Sequence, residues 1–255
     1  MLILLPIRPT ASKDSSAIFP AKNHESKTIG IIGGMGWPSS EAYYKLCNQL
    51  VSDRLGPLHC ANLVLIQTDF DKINAWEAAG RWDLFGNLLV SLAQRLVGAG
   101  ADMIMIACNT AHKTLPHIRS RISLPIVDIV EVTSLRVKHL GFKTVGFLGT
   151  IYTMEDDYFR GPLLNEYGIT AITPNRKQRE MIQEILEKEV VRGSMSETSK
   201  AKFRVIIHDL VSSGAEAIVL ACTEFGQHLR AEDSTVPMVD TLTEHAKAAV
   251  ERALA

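Results

Sequence analysis

Two stretches decide the fold. "LVGAGADMIMIACNT" at 96–110 and "LVSSGAEAIVLACTE" at 210–224 share Leu, Val, Gly, Ala, Ile, Ala and Cys at equivalent places, 114 positions apart. Each reads as the end of a helix, a Gly-Ala turn, a buried strand and a strand-to-helix corner. The match continues on both sides: "KTIGIIGG" (27–34) pairs with "KTVGFLGT" (143–150) at an offset of 116, and "LPIVD" (124–128) with "VPMVD" (236–240) at 112. An offset this long and this constant is no short solenoid period; it means two homologous halves.

Within each half, β-branched runs alternate with helical patterns, as parallel strands joined by right-handed crossovers require. The strand runs are Ile29–Ile32, Leu63–Gln67, Met103–Ala107 and Ile126–Ile129, then Val145–Leu148, Ile169–Thr173, Ala217–Ala221 and Met238–Val239. Helical patterns fall between them at Ser40–Arg54, Arg81–Gly98, Arg179–Val191 and Ser199–Ser212. The expected fold class is α/β: two similar doubly wound lobes with parallel sheets, related by a pseudo-two-fold axis, with the active site in the cleft between them. A last helix, Leu242–Leu254, is expected to close the chain against the first lobe. That assigns 27–132 plus 238–255 to the first lobe and 133–237 to the second. Residues 1–26 begin with a short apolar patch but carry neither a basic leader nor a membrane-length stretch. They match neither a secretory signal nor a span, and read as a disordered tail outside the fold.

Composition narrows the function. The 255 residues are 46% hydrophobic and 22% charged, which describes an ordinary globular chain able to bury one large or two modest cores. A formal net charge of -1 gives no electrostatic case for nucleic acid or an anionic membrane as partner, leaving a small molecule. Cysteines 47, 60, 108 and 222 form no CxxC pair and no close Cys/His spacing, so neither a metal site nor a disulfide framework is expected. Free thiols in a reducing cytoplasm are the simpler reading.

Ligands of open parallel sheets bind beyond the carboxyl ends of the strands. Cys108 and Cys222 both stand there, each before an expected helix N-terminus whose N–H groups and dipole would favour thiolate. Thr110 and Thr223 are candidates to cap those helices or to bind an anion. Two thiols reaching one cleft from opposite lobes suit inversion at a carbon bearing a removable hydrogen: one takes the proton from one face while the other returns one to the opposite face. A lone cysteine at a strand end is more often a small buried hydrophobe, the reading that applies to Cys47 and Cys60. The repeated context argues otherwise for Cys108 and Cys222. The glycine loop "GIIGGMGWPSS" (30–40) has Ser39 where a dinucleotide fingerprint needs its third glycine, so a backbone nest for a carboxylate is the better reading.

"GIIGGMG", "ACNTAH", "GTIYTMEDDYFRG" (149–161) and "ACTE" together resemble the aspartate/glutamate racemase family, which works without pyridoxal phosphate. The resemblance runs from Lys27 to the end, and "GGMGWPSS" and "TDFDKI" are most similar to the branch of broad-specificity amino-acid racemases. It implies an amino-acid substrate, no cofactor, and Cys108 and Cys222 as the acid/base pair, one for each enantiomer. It places Met35, Asn109, Thr110 and Thr223 at the α-carboxylate and ammonium, and suggests a homodimer. His112 and Glu224 either tune the thiols or are exposed first-turn side chains. Three departures bear on the substrate: "QTDFDKINAWEAA" (67–79) lacks the arginine of aspartate-specific relatives, "NRKQREMIQ" stands near their lysine, and Glu224 replaces the histidine usual in glutamate racemases. Arg176, Lys177 and Arg179 either grip a distal carboxylate or are solvated charge on a helix face. Hydantoin racemase and maleate isomerase chemistry, and a non-catalytic binding protein, remain alternatives at this stage.

Overall fold

Eight short strands form two four-stranded, wholly parallel sheets in the computed structural model, which describes residues 26–255. The tail expected at 1–26 therefore lies, but for Ser26, outside the described residues. The chain runs β1 (Ile29–Gly33), α1 (Trp37–Leu55), β2 (Leu63–Gln67), α2 (Phe70–Ala78), α3 (Trp82–Gly98), β3 (Met103–Ile106), α4 (Leu115–Arg119), β4 (Ile126–Val127) and α5 (Ile129–His139), whose Ile129, Val130 and Val137 pack into the core of the second sheet. Next come β5 (Thr144–Gly149), α6 (Ile151–Glu155), α7 (Asp157–Asn165), β6 (Thr170–Ile172), α8 (Arg176–Lys188), α9 (Glu197–Ser212), β7 (Ala217–Ala221), α10 (Phe225–His228), β8 (Met238–Asp240) and α11 (Thr241–Leu254). The sheet orders, β2-β1-β3-β4 and β6-β5-β7-β8, are the same order written twice. The α/β class and the two-lobed architecture expected from the repeat are therefore those of the structure.

The repeated residues build the same joints in both lobes. Gly100 and Gly214 sit at φ +82° and +99°, a left-handed conformation that glycine adopts without steric cost, and each ends a helix. Beside them the amides of Ala101 and Ala215 reach back to the carbonyls of Leu96 and Leu210 at 3.0 and 3.1 Å. Asp102 and Glu216 then clamp the neighbouring strand, accepting from the Thr28 and Thr144 amides at 2.6 and 2.9 Å. The aspartates that close "LPIVD" and "VPMVD" cap the next helix: Asp128 accepts from the Val130 amide at 2.9 Å and Asp240 from the Thr243 amide at 3.2 Å. The strand expected at Ile126–Ile129 is cut to Ile126–Val127, because Asp128 caps α5 and Ile129 is already its first residue. The helix expected at Arg179–Val191 starts earlier, at Arg176, where Asn175 and Gln178 form a reciprocal capping box.

One core fills the second lobe, packed around Phe147, Phe159, Phe203 and Phe225, while the first lobe has a core on each face of its sheet. Leu242, Ala246, Ala249 and Val250 of α11 belong to one of these first-lobe cores with Ile29, Tyr43 and Val51. Its buried His245 bridges elements, Nε2 donating to the Val127 carbonyl and Nδ1 accepting from the Tyr43 hydroxyl, both at 2.8 Å. No helix among the described residues is long and apolar enough to cross a membrane.

Candidate active site

Beyond β3 the chain turns through Ala107 and Cys108 into a single 3-10 turn, Thr110–Thr114; beyond β7 it turns through Cys222 and Glu224 into the four-residue α10. Both corners open on the same cavity, of about 50 Å3, between the lobes. Cys108, Asn109 and Thr110 line it from one side, Cys222, Thr223 and Glu224 from the other, and Met35 from the glycine loop. Seven of the eight residues expected at the thiols and around the α-carbon thus meet at one place.

His112 does not reach the cavity. Its Nδ1 donates to the Cys108 carbonyl at 2.9 Å and its Nε2 accepts from the Ile129 amide at 3.3 Å. Buried, and held below its ordinary pKa mainly by that burial, it is a neutral strut behind the corner. Glu224 and His112 are both buried, so the exposed first-turn reading fails for each. Neither Thr110 nor Thr223 caps its helix. Thr110 Oγ1 instead bridges to Thr150 and Thr153 at 2.9 and 3.3 Å, and Thr223 Oγ1 accepts from Ser39 Oγ at 2.7 Å, each bond crossing between lobes. Arg176 and Arg179 face away, paired to Glu180 and Glu155 at 2.9 and 3.0 Å, and with Lys177 they take no part in the cavity.

The thiols are not held as thiolates. Burial pushes Cys108 up to about 12, the Glu77 carboxylate adding to the rise and the amides of Ala111 and Thr110 opposing it. Burial drives Cys222 well above its ordinary value too, with Glu224 adding. The dipole effect expected at these corners is small because the helices are one turn long; desolvation wins. Cys222 Sγ donates to Glu224 Oε2 at 3.1 Å, and the same oxygen accepts from Thr223 Oγ1 at 3.1 Å. Glu224 is itself raised by burial, against the pull of its bonds to Ser39, Cys222 and Thr223. The carboxylate lying against Gly36 of the glycine loop is this one, from the chain itself.

The cavity also holds residues that sequence reasoning missed. Phe70, Asn74 and Glu77 come from α2, Gln183, Leu186 and Glu187 from α8, and Thr150 from the end of β5. Thr150 sits in a quoted motif, but nothing in the patterns of α2 and α8 marks which residues turn inward. Among the described residues no group of three or more His, Cys, Asp and Glu is arranged to ligate a metal.

Comparison with known proteins gives the family. The profile of the Asp/Glu/Hydantoin racemase family matches residues 32–249. The chain belongs to that family. Its racemase homologues make the chain an isomerase, an amino-acid racemase. It is 28% identical over 167 residues to the broad-specificity amino-acid racemase RacX of Bacillus subtilis, 66% of this chain and 71% of that one. A Yersinia pestis crystal structure provisionally assigned as an Asp/Glu racemase superposes with a TM-score of 0.82 at 39% identity, covering 90% of this chain and 100% of that one. An aspartate racemase homologue from Pyrococcus horikoshii superposes at 0.76 with 26% identity, covering 89% and 99%. Matches to curated glutamate racemases such as that of Deinococcus radiodurans span about half of those chains, 54% there.

Proposed function

We propose that this racemase interconverts L- and D-amino acids without a cofactor, Cys108 and Cys222 exchanging the roles of base and acid. The observation that carries the reading is that two thiols from repeat-equivalent strand ends line one cavity. In one direction Glu224 Oε2 accepts the Cys222 proton, and the thiolate removes the α-hydrogen, forming an S–H bond and leaving the electron pair on the α-carbon. The Cys108 thiol then delivers its proton to the opposite face and becomes the thiolate; the reverse direction starts there. A thiol held near 12 gives a strong base once ionised, as a weakly acidic C–H demands. Met35, Asn109, Thr110 and Thr223 hold the α-carboxylate and ammonium, and the buried Asn109 Oδ1, which has no partner among the described residues, is free to accept from the ammonium.

The reading extends to the whole chain. Lobes of 27–132 plus 238–255 and of 133–237 fit the burial of α11 against Tyr43 and Val51. Free thiols, the exposed Cys60 among them, fit a reducing cytoplasm.

Proton NMR in heavy water with single enantiomers tests the mechanism. The parent exchanges the α-proton and forms the opposite enantiomer. Cys108→Ala and Cys222→Ala each lose racemisation by at least about 10²-fold, and each retains α-proton exchange with one enantiomer, the opposite one in the two variants. Undiminished racemisation by Cys222→Ala would end the two-base scheme.

A further inference from the structure

The charges facing the cavity all have one sign. Glu77, Glu187 and Glu224 line it, and no lysine, arginine or histidine does so among the described residues. Nearby cations are engaged elsewhere: Lys113 Nζ is bound to Asp156 at 2.6 Å and lies 3.9 Å over the Trp82 ring, and Arg179 is on Glu155. Glu224 is committed to Cys222 and Thr223. Glu77 is different. It is only 7% exposed, faces the cavity, and its carboxylate has neither a hydrogen-bond donor nor an ion-pair partner among the described residues. Burial raises it to about 7, with the charge of Lys113 pulling the other way without reaching an ion pair, so near neutral pH it is a half-ionised carboxylate with no direct partner. A desolvated carboxylate of this kind is costly unless a partner arrives from outside the chain.

The surroundings describe that partner. Met35, Phe70, Leu186 and Val191 supply apolar wall, while Asn74, Gln183 and Glu187 form a polar rim, Glu187 being exposed and bound only to Gln183 Nε2 at 2.9 Å. Apolar wall beside carboxylates suits a methylene stem ending in a cation. An acidic side chain would bring a further negative charge beside two buried carboxylates, Glu77 and Glu224, and the exposed Glu187 at the rim.

We propose that Glu77, with Glu187 at the rim, selects amino acids whose side chain ends in an ammonium or guanidinium group, and that aspartate and glutamate are poor substrates. This rests on the racemase reading above and specifies its substrate class. Such a cation also offsets the Glu77 charge that helps hold the Cys108 thiol protonated, and so eases ionisation of Cys108 in the direction in which that thiol is the base.

The test compares kcat/KM for racemisation of L-lysine, L-ornithine, L-arginine, L-methionine, L-aspartate and L-glutamate by the parent, Glu77→Gln and Glu187→Gln. The parent is expected to favour lysine, ornithine and arginine over methionine by about tenfold or more, with aspartate and glutamate last. Glu77→Gln lowers the lysine-to-methionine ratio by about tenfold, and the solvent-exposed Glu187→Gln by a smaller factor. Preference for the acidic substrates, or an unchanged ratio in Glu77→Gln, overturns the proposal while the two-thiol mechanism stands. Equal losses on lysine and methionine would assign Glu77 to the α-ammonium and overturn it as well. No turnover of any of the six would remove the racemase reading and this proposal with it. Were Glu77→Gln not to fold, the parent's substrate order and Glu187→Gln decide the matter.

Discussion

At Gly36 the backbone runs at φ +105°, and a Cβ there would overlap a carboxylate oxygen of Glu224. A single absent side chain thus lets the second lobe's acid reach into the first lobe's loop and stand beside Cys222. Gly36→Ala is expected to lose about 1–3 kcal/mol of stability in chemical denaturation, from the left-handed backbone and the displaced acid. Gly98→Ala, at a helical position with open space around it, is the control and should be neutral or gain up to about 1 kcal/mol. Equal effects would mean the contact with Glu224 carries no stability. Beyond burial, the main cause, Glu224 adds to the raised pKa of its neighbour, since its negative charge and its acceptance of the Sγ proton both hold Cys222 up. With the other three cysteines replaced by alanine, Glu224→Gln should move the pH midpoint of Cys222 alkylation downward; an upward or absent shift contradicts that coupling. The two thiols were legible from sequence because duplication repeats their context. Glu224's contact with Gly36 was not, because residues so distant in the chain meet only after folding.

Helix α11 is the element that ties the last residues to the segment leading into β1. It packs against α1 and α5, its Ala253 carbonyl accepts from the Lys27 amide at 2.9 Å, and His245 is wholly buried along it. Burial of that ring, aided by His112, pushes it from 6.5 down to about 3. The unfolded chain therefore takes up the proton more readily than the folded one. The contribution of neutral His245 is complete above pH 6.5 and is lost as pH falls from there towards about 3, by about 1.4 kcal/mol per unit at most. Denaturation measured between those limits should fall less steeply with acid in His245→Gln than in the parent; parallel profiles would place the acid sensitivity elsewhere. Element boundaries were the less legible part of the sequence, for a physical reason visible at Asp128 and Asp240. Each follows a strand pattern without break, yet its side chain satisfies the first amides of the next helix. The one-turn elements after the two thiols are set by how the chain leaves each strand, which hydrophobic periodicity does not record.

On the scale of the whole molecule, the duplication made the architecture legible, since two halves with one pattern must build one fold twice. The character of the cavity was not legible, because its roof joins α2 of one lobe to α8 of the other and brings Glu77 and Glu187 into one space. The lobes meet along a seam of short polar bonds: Thr110 to Thr150 at 2.9 Å, Ser39 to Thr223 at 2.7 Å, Tyr158 to the Asn109 carbonyl at 3.1 Å, and Lys113 to Asp156 at 2.6 Å. Hydroxyl bonds and one part-exposed ion pair are individually weak, each on the order of 1 kcal/mol. The cavity behind them, about 50 Å3, accommodates only a few water molecules and not an amino acid with a long side chain. Entry of such a substrate is therefore expected to part the lobes along the seam, which enclose it when they return. Hydrogen exchange is expected to report this directly. Saturating L-lysine should slow exchange in the seam segments 108–114 and 150–158, where opening exposes the amides, and leave the sheet interiors at β1 and β5 unchanged. Exchange that is already slow in the free protein and unaltered by lysine would mean that the lobes do not separate and that the substrate reaches the thiols by another path.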